Sequence, residues 1–209
     1  IWAIVVAPQV VGNTKPVTVL MLGGIHSGEC DGKEALLALA RDMAAGKHGD
    51  WWHSLRLVFV PNFNADGNER RGRAHRPGQA GPDKGMGIRE NAQGLDLNRD
   101  FVKLDSPEVR GLVAALNGFD VDVLIDTHTT NGSLHGYQLT YDIPHNPASP
   151  ASVRHWLRSK LVPTVTRRMK QEGFDTYYYG NFDRDHQKWS TYGHEPRYST
   201  EYMGMRGRI

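Results

Sequence analysis

Four short apolar runs constrain this chain most: Ile1–Ala7, Val17–Gly23, Leu55–Pro61 and Val121–Thr127. Each has the length and β-branched content of a strand. Between the second and third run, Ala35, Leu36, Leu39, Ala40 and Met43 recur at a spacing that lines one face of a helix. A second helix is predicted from Ser106 as N-cap, with Pro107 at the first helical position and Glu108 favouring the positive end of the dipole. A third begins by the same signal at Ser149-Pro150 and carries Val153, Leu157, Leu161, Val165 and Met169, with Pro163 expected to kink it or end it early. Strands separated by helices predict an α/β fold with a mixed, partly parallel sheet flanked by helices.

The 209 residues suit a single domain, 1–209, with a sizeable core. An apolar run at Ile1 that reads as mid-strand, and a closing Arg206–Ile209 that reads as the lead-in to another strand, suggest a fragment truncated at both ends. The stretch from Glu69 to Gly94 is rich in Gly, Pro and Arg without apolar period, and reads as a long functional loop. Lys and Arg number 25 against 23 Asp and Glu, a balance with no global pull toward nucleic acid. One cysteine, Cys30, excludes an internal disulfide, a cysteine-built zinc site and a CxxC redox pair. No apolar run reaches the ~18–20 residues of a membrane span.

The chemistry concentrates at strand ends. Gly23-Gly24-Ile25-His26-Ser27-Gly28-Glu29 joins a predicted strand to a predicted helix, and His26 and Glu29 stand close enough to share one metal ion. About a hundred residues later, Ile125-Asp126-Thr127-His128 ends another strand with a second histidine. Ligands bind at the carboxyl ends of strands in open α/β sheets. Two imidazoles and a carboxylate leave a fourth zinc position for water, the mark of a catalytic rather than a structural site. Taken singly, His26 and Glu29 read as a surface histidine and a helix-start glutamate, and His128 as a hydrogen-bonded strand end. The glycines at 23, 24 and 28 let the backbone crowd around a bound group. Cys30 reads as a small buried residue rather than a fourth ligand.

His26-Ser-Gly-Glu29, Pro61-Asn-Phe-Asn64-Ala-Asp66-Gly67, Asp96-Leu-Asn98-Arg99 and Asp126-Thr-His128 occur in the order found in zinc carboxypeptidases of the carboxypeptidase A type. The resemblance covers Val17 to Thr130 and weakens beyond. There, Glu195-Pro-Arg-Tyr-Ser-Thr-Glu-Tyr resembles a less-studied bacterial branch. The family usually has proline where Ala65 stands, a difference of rigidity more than chemistry. The resemblance implies the zinc carboxypeptidase-like (phosphorylase/hydrolase-type) fold and one Zn2+ per chain held by His26, Glu29 and His128. It implies that Asp96 orients His26, and that Asn98 and Arg99 hold a substrate's terminal carboxylate. An arginine of the long loop would polarise the scissile carbonyl; Arg76 is chosen, with Arg71, Arg73 and Arg89 as alternatives. The bland readings are a turn with a salt bridge at Asp96–Arg99, a plain turn at Asn64–Gly67 and a solvated or anion-binding face for the arginines.

The implied activity is hydrolysis of a C-terminal peptide bond through a zinc-activated water, on a peptide or peptidoglycan-derived substrate with a free carboxylate. Its general base, a glutamate at the end of a late strand, is expected just beyond Ile209, with Glu201 the late candidate inside the chain. Tyr192, Tyr198 and Tyr202 compete for the substrate-capping tyrosine. Two other functions fit: a zinc amidohydrolase of the aspartoacylase type acting on N-acyl amino acids, and a non-catalytic zinc-bound peptide-binding module. The bacterial likeness favours an extracellular or periplasmic location.

Overall fold

The computed structural model describes residues 1–8, 15–79, 81–130, 132–191 and 193–209, with Trp52 by its backbone. It divides into two compact units, Ile1–Ser133 and Leu134–Ile209.

The first unit is built on a four-stranded sheet. Strands β1 (Ile4–Val6), β2 (Val17–Leu22), β3 (Leu55–Val60) and β4 (Val123–Asp126) lie in the order β1-β3-β2-β4. The pairings β2–β3 and β2–β4 are parallel, and β1 runs antiparallel along β3. All four strands fall inside the four apolar runs, and the sheet is mixed and partly parallel as expected. Helix α1 (Cys30–Ala44) joins β2 to β3 and lays Leu36, Leu39, Ala40 and Met43 against Met21, Leu57 and Phe59. Alternate residues Leu20, Leu22, Val58 and Val60 are buried too, so the sheet is covered on both faces. The short helix α2 (Ala65–Glu69) and a 3₁₀ turn (Leu97–Arg99) flank the long loop, which is closed on itself by the bridge Gly72–Met86. Helix α3 (Pro107–Gly118) starts where its signal places it, with the Ser106 side chain accepting from Val109 N–H.

The order of the sheet positions the chemistry. From β2 the chain goes through α1 to β3 on one side, then returns by α3 to β4 on the other. The crevice at this reversal opens between the carboxyl ends of β2 and β4. Leu22 pairs with Asp126, and Thr127 N–H and Oγ both donate to the Leu22 carbonyl, at 2.9 and 2.7 Å. Two segments distant in sequence therefore leave the sheet side by side.

The second unit holds a parallel pair, β5 (Leu139–Tyr141) with β6 (Thr176–Tyr178), and a hairpin of β7 (Gly180–Phe182) and β8 (Trp189–Thr191). Its helical rod comprises α4 (Ala151–Trp156), a π-helical stretch (Leu157–Leu161) and α5 (Val162–Gln171). Of the two outcomes expected of Pro163, it does not end this helix; the irregularity falls just ahead of it. Proline offers no N–H to the carbonyl four residues back, and the wider i→i+5 turns just ahead of it carry the ladder past the gap. The rod also starts one residue late, with Pro150 rather than Ser149 as its cap. Helix α6 (Ser199–Met205) closes the unit. Among the described residues no helix is long and apolar enough to cross a membrane.

Candidate metal centre

The turn after β2 is held against the end of β3: Gly23 N–H donates to the Val60 carbonyl, while Phe63 and Asn64 N–H donate to Gly23 and Gly24. A Cβ on Gly23 would meet the Pro61 carbonyl at 2.8 Å, so this glycine makes room for a neighbouring strand rather than for a bound group. Asn64 is fully buried and ties three segments. Its carbonyl accepts from Ser27 Oγ, its Oδ1 caps Gly67 N–H, and its Nδ2 donates to the Arg89 carbonyl.

On this frame His26, Glu29 and His128 converge, their ligand atoms all within 4.8 Å of one another. His26 Nδ1 lies 3.0 Å from Glu29 Oε1, and His128 Nδ1 lies 2.9 Å from Glu29 Oε2. The opposite ring nitrogens are taken by carboxylates: His26 Nε2 by Asp96 at 3.1 Å, and His128 Nε2 by Asp126 at 3.0 Å. A ring that donates Nε2–H to a carboxylate keeps the Nδ1 lone pair for a metal, and both Nδ1 atoms face the same glutamate. Donor types, convergence and outer partners all fit a zinc ion.

The electrostatics describe the cluster without its metal. Burial raises the Glu29 pKa, but hydrogen bonds from His128 and His26 outweigh it and hold the carboxyl well below its usual range. Asp96 behaves alike: burial raises it, and His26, Arg89 and Arg99 bring it down. For His128, loss of water opposes the charged ring, but Asp126 and then Glu29 prevail and push its pKa up to about 10. Its side chain keeps 31% exposure, whereas those of His26 and Glu29 are buried. The site is open to solvent on the His128 side.

The 3₁₀ turn Leu97–Arg99 places the other expected residues. Asp96 caps it, accepting Asn98 N–H at 3.0 Å on the oxygen that faces His26. The Asn98 amide stands 3.3 Å from His128 Nε2, and Arg99 folds back to donate to the Asn98 carbonyl at 2.7 Å. Of the four candidate arginines, Arg71 bonds the Asn68 carbonyl of α2 and Arg73 the Asp83 carbonyl of the loop. Arg76 and Arg89 reach the ligand set. Arg76 donates to Glu29 Oε1 at 2.6 Å. Arg89 pairs with Asp96 at 2.8 Å and brings a second nitrogen to 3.4 Å from His26 Nδ1.

Sequence reasoning gave no role to Asp126 or Gln79. Asp126 was within reach, because residues two apart at a strand end face the same way. Glu201 serves elsewhere. In the second unit it is buried, its two oxygens accepting the His145 and Asn146 N–H groups at 2.8 Å each. Tyr198 is buried and Tyr202 stacks with Arg206, while Tyr192 lies outside the described residues.

A family model described as zinc carboxypeptidase matches residues 1–134. Human carboxypeptidase D is 30% identical over 143 residues, which covers 60% of this chain and 10% of that protein. A metallo-carboxypeptidase from Burkholderia cenocepacia superimposes with a TM-score of 0.65 at 18% identity, over 98% of this chain and 48% of the other. One from Pseudomonas aeruginosa, solved in complex with (2-guanidinoethylmercapto)succinic acid, gives 0.63 at 17% identity over the same shares. At such identities the structures speak for the fold. The chain spans about half the length of these solved relatives and a tenth of the human one.

Proposed function

Since this chain belongs to the zinc carboxypeptidase family, we propose that it carries the metal-binding and carboxylate-recognising side of a metallocarboxypeptidase that removes a C-terminal residue from a peptide. The observation behind this reading is the convergence of His26 Nδ1, Glu29 and His128 Nδ1, each ring backed by its own aspartate. Zinc, when bound, supplies a Lewis acid that polarises the scissile carbonyl and acidifies a water molecule.

The chain's own residues do the rest. Asp96 and Asp126 hold the Nε2 side of each ring and so turn both Nδ1 atoms toward Glu29, where a metal ion would displace the proton that His128 carries. Asn98 and Arg99, one 3₁₀ turn from Asp96, take the substrate's terminal carboxylate, Arg99 through its planar fork. The carboxylate-bearing ligand of the Pseudomonas aeruginosa relative is in keeping with that role. Arg76, singled out in the sequence for carbonyl polarisation, has a terminal nitrogen committed to Glu29. We therefore give that role to Arg89, whose second nitrogen stands on the Nδ1 side of His26 and whose Nε is anchored on Asp96. A glutamate base at the end of a late strand remains part of the proposal.

Zinc per chain, measured with and without His128→Ala, tests the site, and the intact gene product tests the reaction. One zinc per chain, lost in the variant, with release of residues from free but not amidated C-termini, supports the reading. Zinc binding with release from N-acyl amino acids alone would turn it toward an amidohydrolase. Zinc binding with no hydrolysis would turn it toward a peptide-binding module, and no zinc would end it.

A further inference from the structure

The tip of the long loop reaches the metal site from outside. Residues Arg76-Pro77-Gly78-Gln79 form a β-turn closed by Gln79 N–H donating to the Arg76 carbonyl at 3.0 Å. Proline and glycine at its centre suit such a turn, which sets its first and last side chains next to each other. Arg76 Nε donates to Gln79 Oε1 at 2.5 Å. The turn is braced at its base, where His75 Nδ1 lies 3.1 Å from the Met86 carbonyl.

Four contacts then close a circuit around one carboxylate. Arg76 donates to Glu29 Oε1, and Gln79 accepts from Arg76. Gln79 Nε2 donates to Thr129 Oγ1 at 3.1 Å and also to the Thr130 carbonyl. Thr129 N–H returns to Glu29 Oε2 at 2.9 Å. Each Glu29 oxygen thus faces a histidine Nδ1 on one side and a link of the circuit on the other. A metal ion would take the histidine side and leave the circuit intact.

Two features show that the molecule gives something up to keep Arg76 here. Its backbone holds φ +53°, a left-handed conformation that is unfavourable for a residue with a Cβ. A Cβ on Gly28 would fall 2.1 Å from Arg76 Cδ and 2.9 Å from the Gly87 carbonyl, so the glycine between His26 and Glu29 clears the path of the arginine stem.

We propose that Arg76 and Gln79 are positioning residues for the metal ligand Glu29, closing a hydrogen-bond circuit that sets the orientation of its carboxylate toward a divalent metal ion. The proposal rests on the zinc-site reading above. The hydrogen bonds of the Gln79 side chain among the described residues run to Arg76, Thr129 and Thr130, and its replacement leaves the Arg76 charge in place.

The test uses two charge-conserving variants, Gln79→Met and Arg76→Lys, with Arg73→Ala as a control from the same loop. Zinc affinity is measured by chelator competition, and the visible absorption of the cobalt(II) form reports ligand geometry. Both variants are expected to lose roughly 10–100-fold in zinc affinity, the range for removing outer partners of metal ligands. Both are also expected to shift the cobalt bands, while Arg73→Ala matches the wild type. Unchanged affinity and bands in the two variants, whatever happens to their melting temperatures, would overturn the proposal. A wild-type protein that binds no zinc or cobalt would sink the site reading itself.

Discussion

At His128 the proposed metal ion would compete with a proton for the same nitrogen. The pKa of this ring is raised from 6.5 to about 10 in the metal-free fold. Its proton therefore stabilises the fold fully below pH 6.5, and that contribution is lost as pH rises toward about 10. Glu29 and Asp96, held below their ordinary values, contribute in the opposite sense and lose their share on acidification. Near pH 8, zinc binding should expel roughly one proton per site, seen as a dependence of calorimetric heat on buffer ionisation enthalpy. A proton count near zero would mean that the ring is neutral before the metal arrives. Arg89 allows a second test. Arg89→Lys keeps a positive charge but loses the fork that spans Asp96 and the ligand side, and turnover should fall on the order of 100-fold with zinc content retained. The convergence of His26, Glu29 and His128 was legible because they stand at the ends of two strands, although the glycines between them serve the backbone and Arg76. The arginine was not, since four arginines in one unpatterned loop look alike until the fold shows which two turn inward.

Helix α3 shows what local sequence specifies well. Ser106 receives Val109 N–H and donates its own hydroxyl to Asp100 at 2.7 Å, both inside the protein. Ser106→Ala removes a cap and a buried bond together, and should cost about 1–2 kcal/mol in urea unfolding at unchanged slope. The sequence of helix α2 reads as a turn because an Asx cap begins both structures. Asn64 Oδ1 on Gly67 N–H fits either, and the burial of Asn64 and Gly67 decides for the helix. Strands β5 to β8 have three residues each, too few to display an alternating pattern. Pro163 left two outcomes open, because whether a proline ends a helix depends on how the preceding turns are wound, and here they widen to i→i+5.

Across the whole chain, all three candidate metal ligands belong to residues 1–133, whereas Glu201 accepts two backbone N–H groups inside the second unit. Glu201→Leu would leave the half-buried His145 and Asn146 N–H groups without their acceptor and should cost about 1–3 kcal/mol. Its zinc stoichiometry should stay at the wild-type value, as metal analysis of the folded fraction would show. Loss of metal from folded protein would assign Glu201 to the site after all. The parallel alignment of β2 with β4 carries a last consequence, for how the protein is made. His26 and Glu29 leave the ribosome about a hundred residues before His128, and the nascent chain meets zinc with two ligands long before the third exists. Firm capture has to await the arrival of β4 beside β2, a contact formed late because so much chain must close between them. On the zinc-site reading, metal loading would then report that the sheet is complete, since an intermediate lacking β4 offers zinc two ligands and not the third.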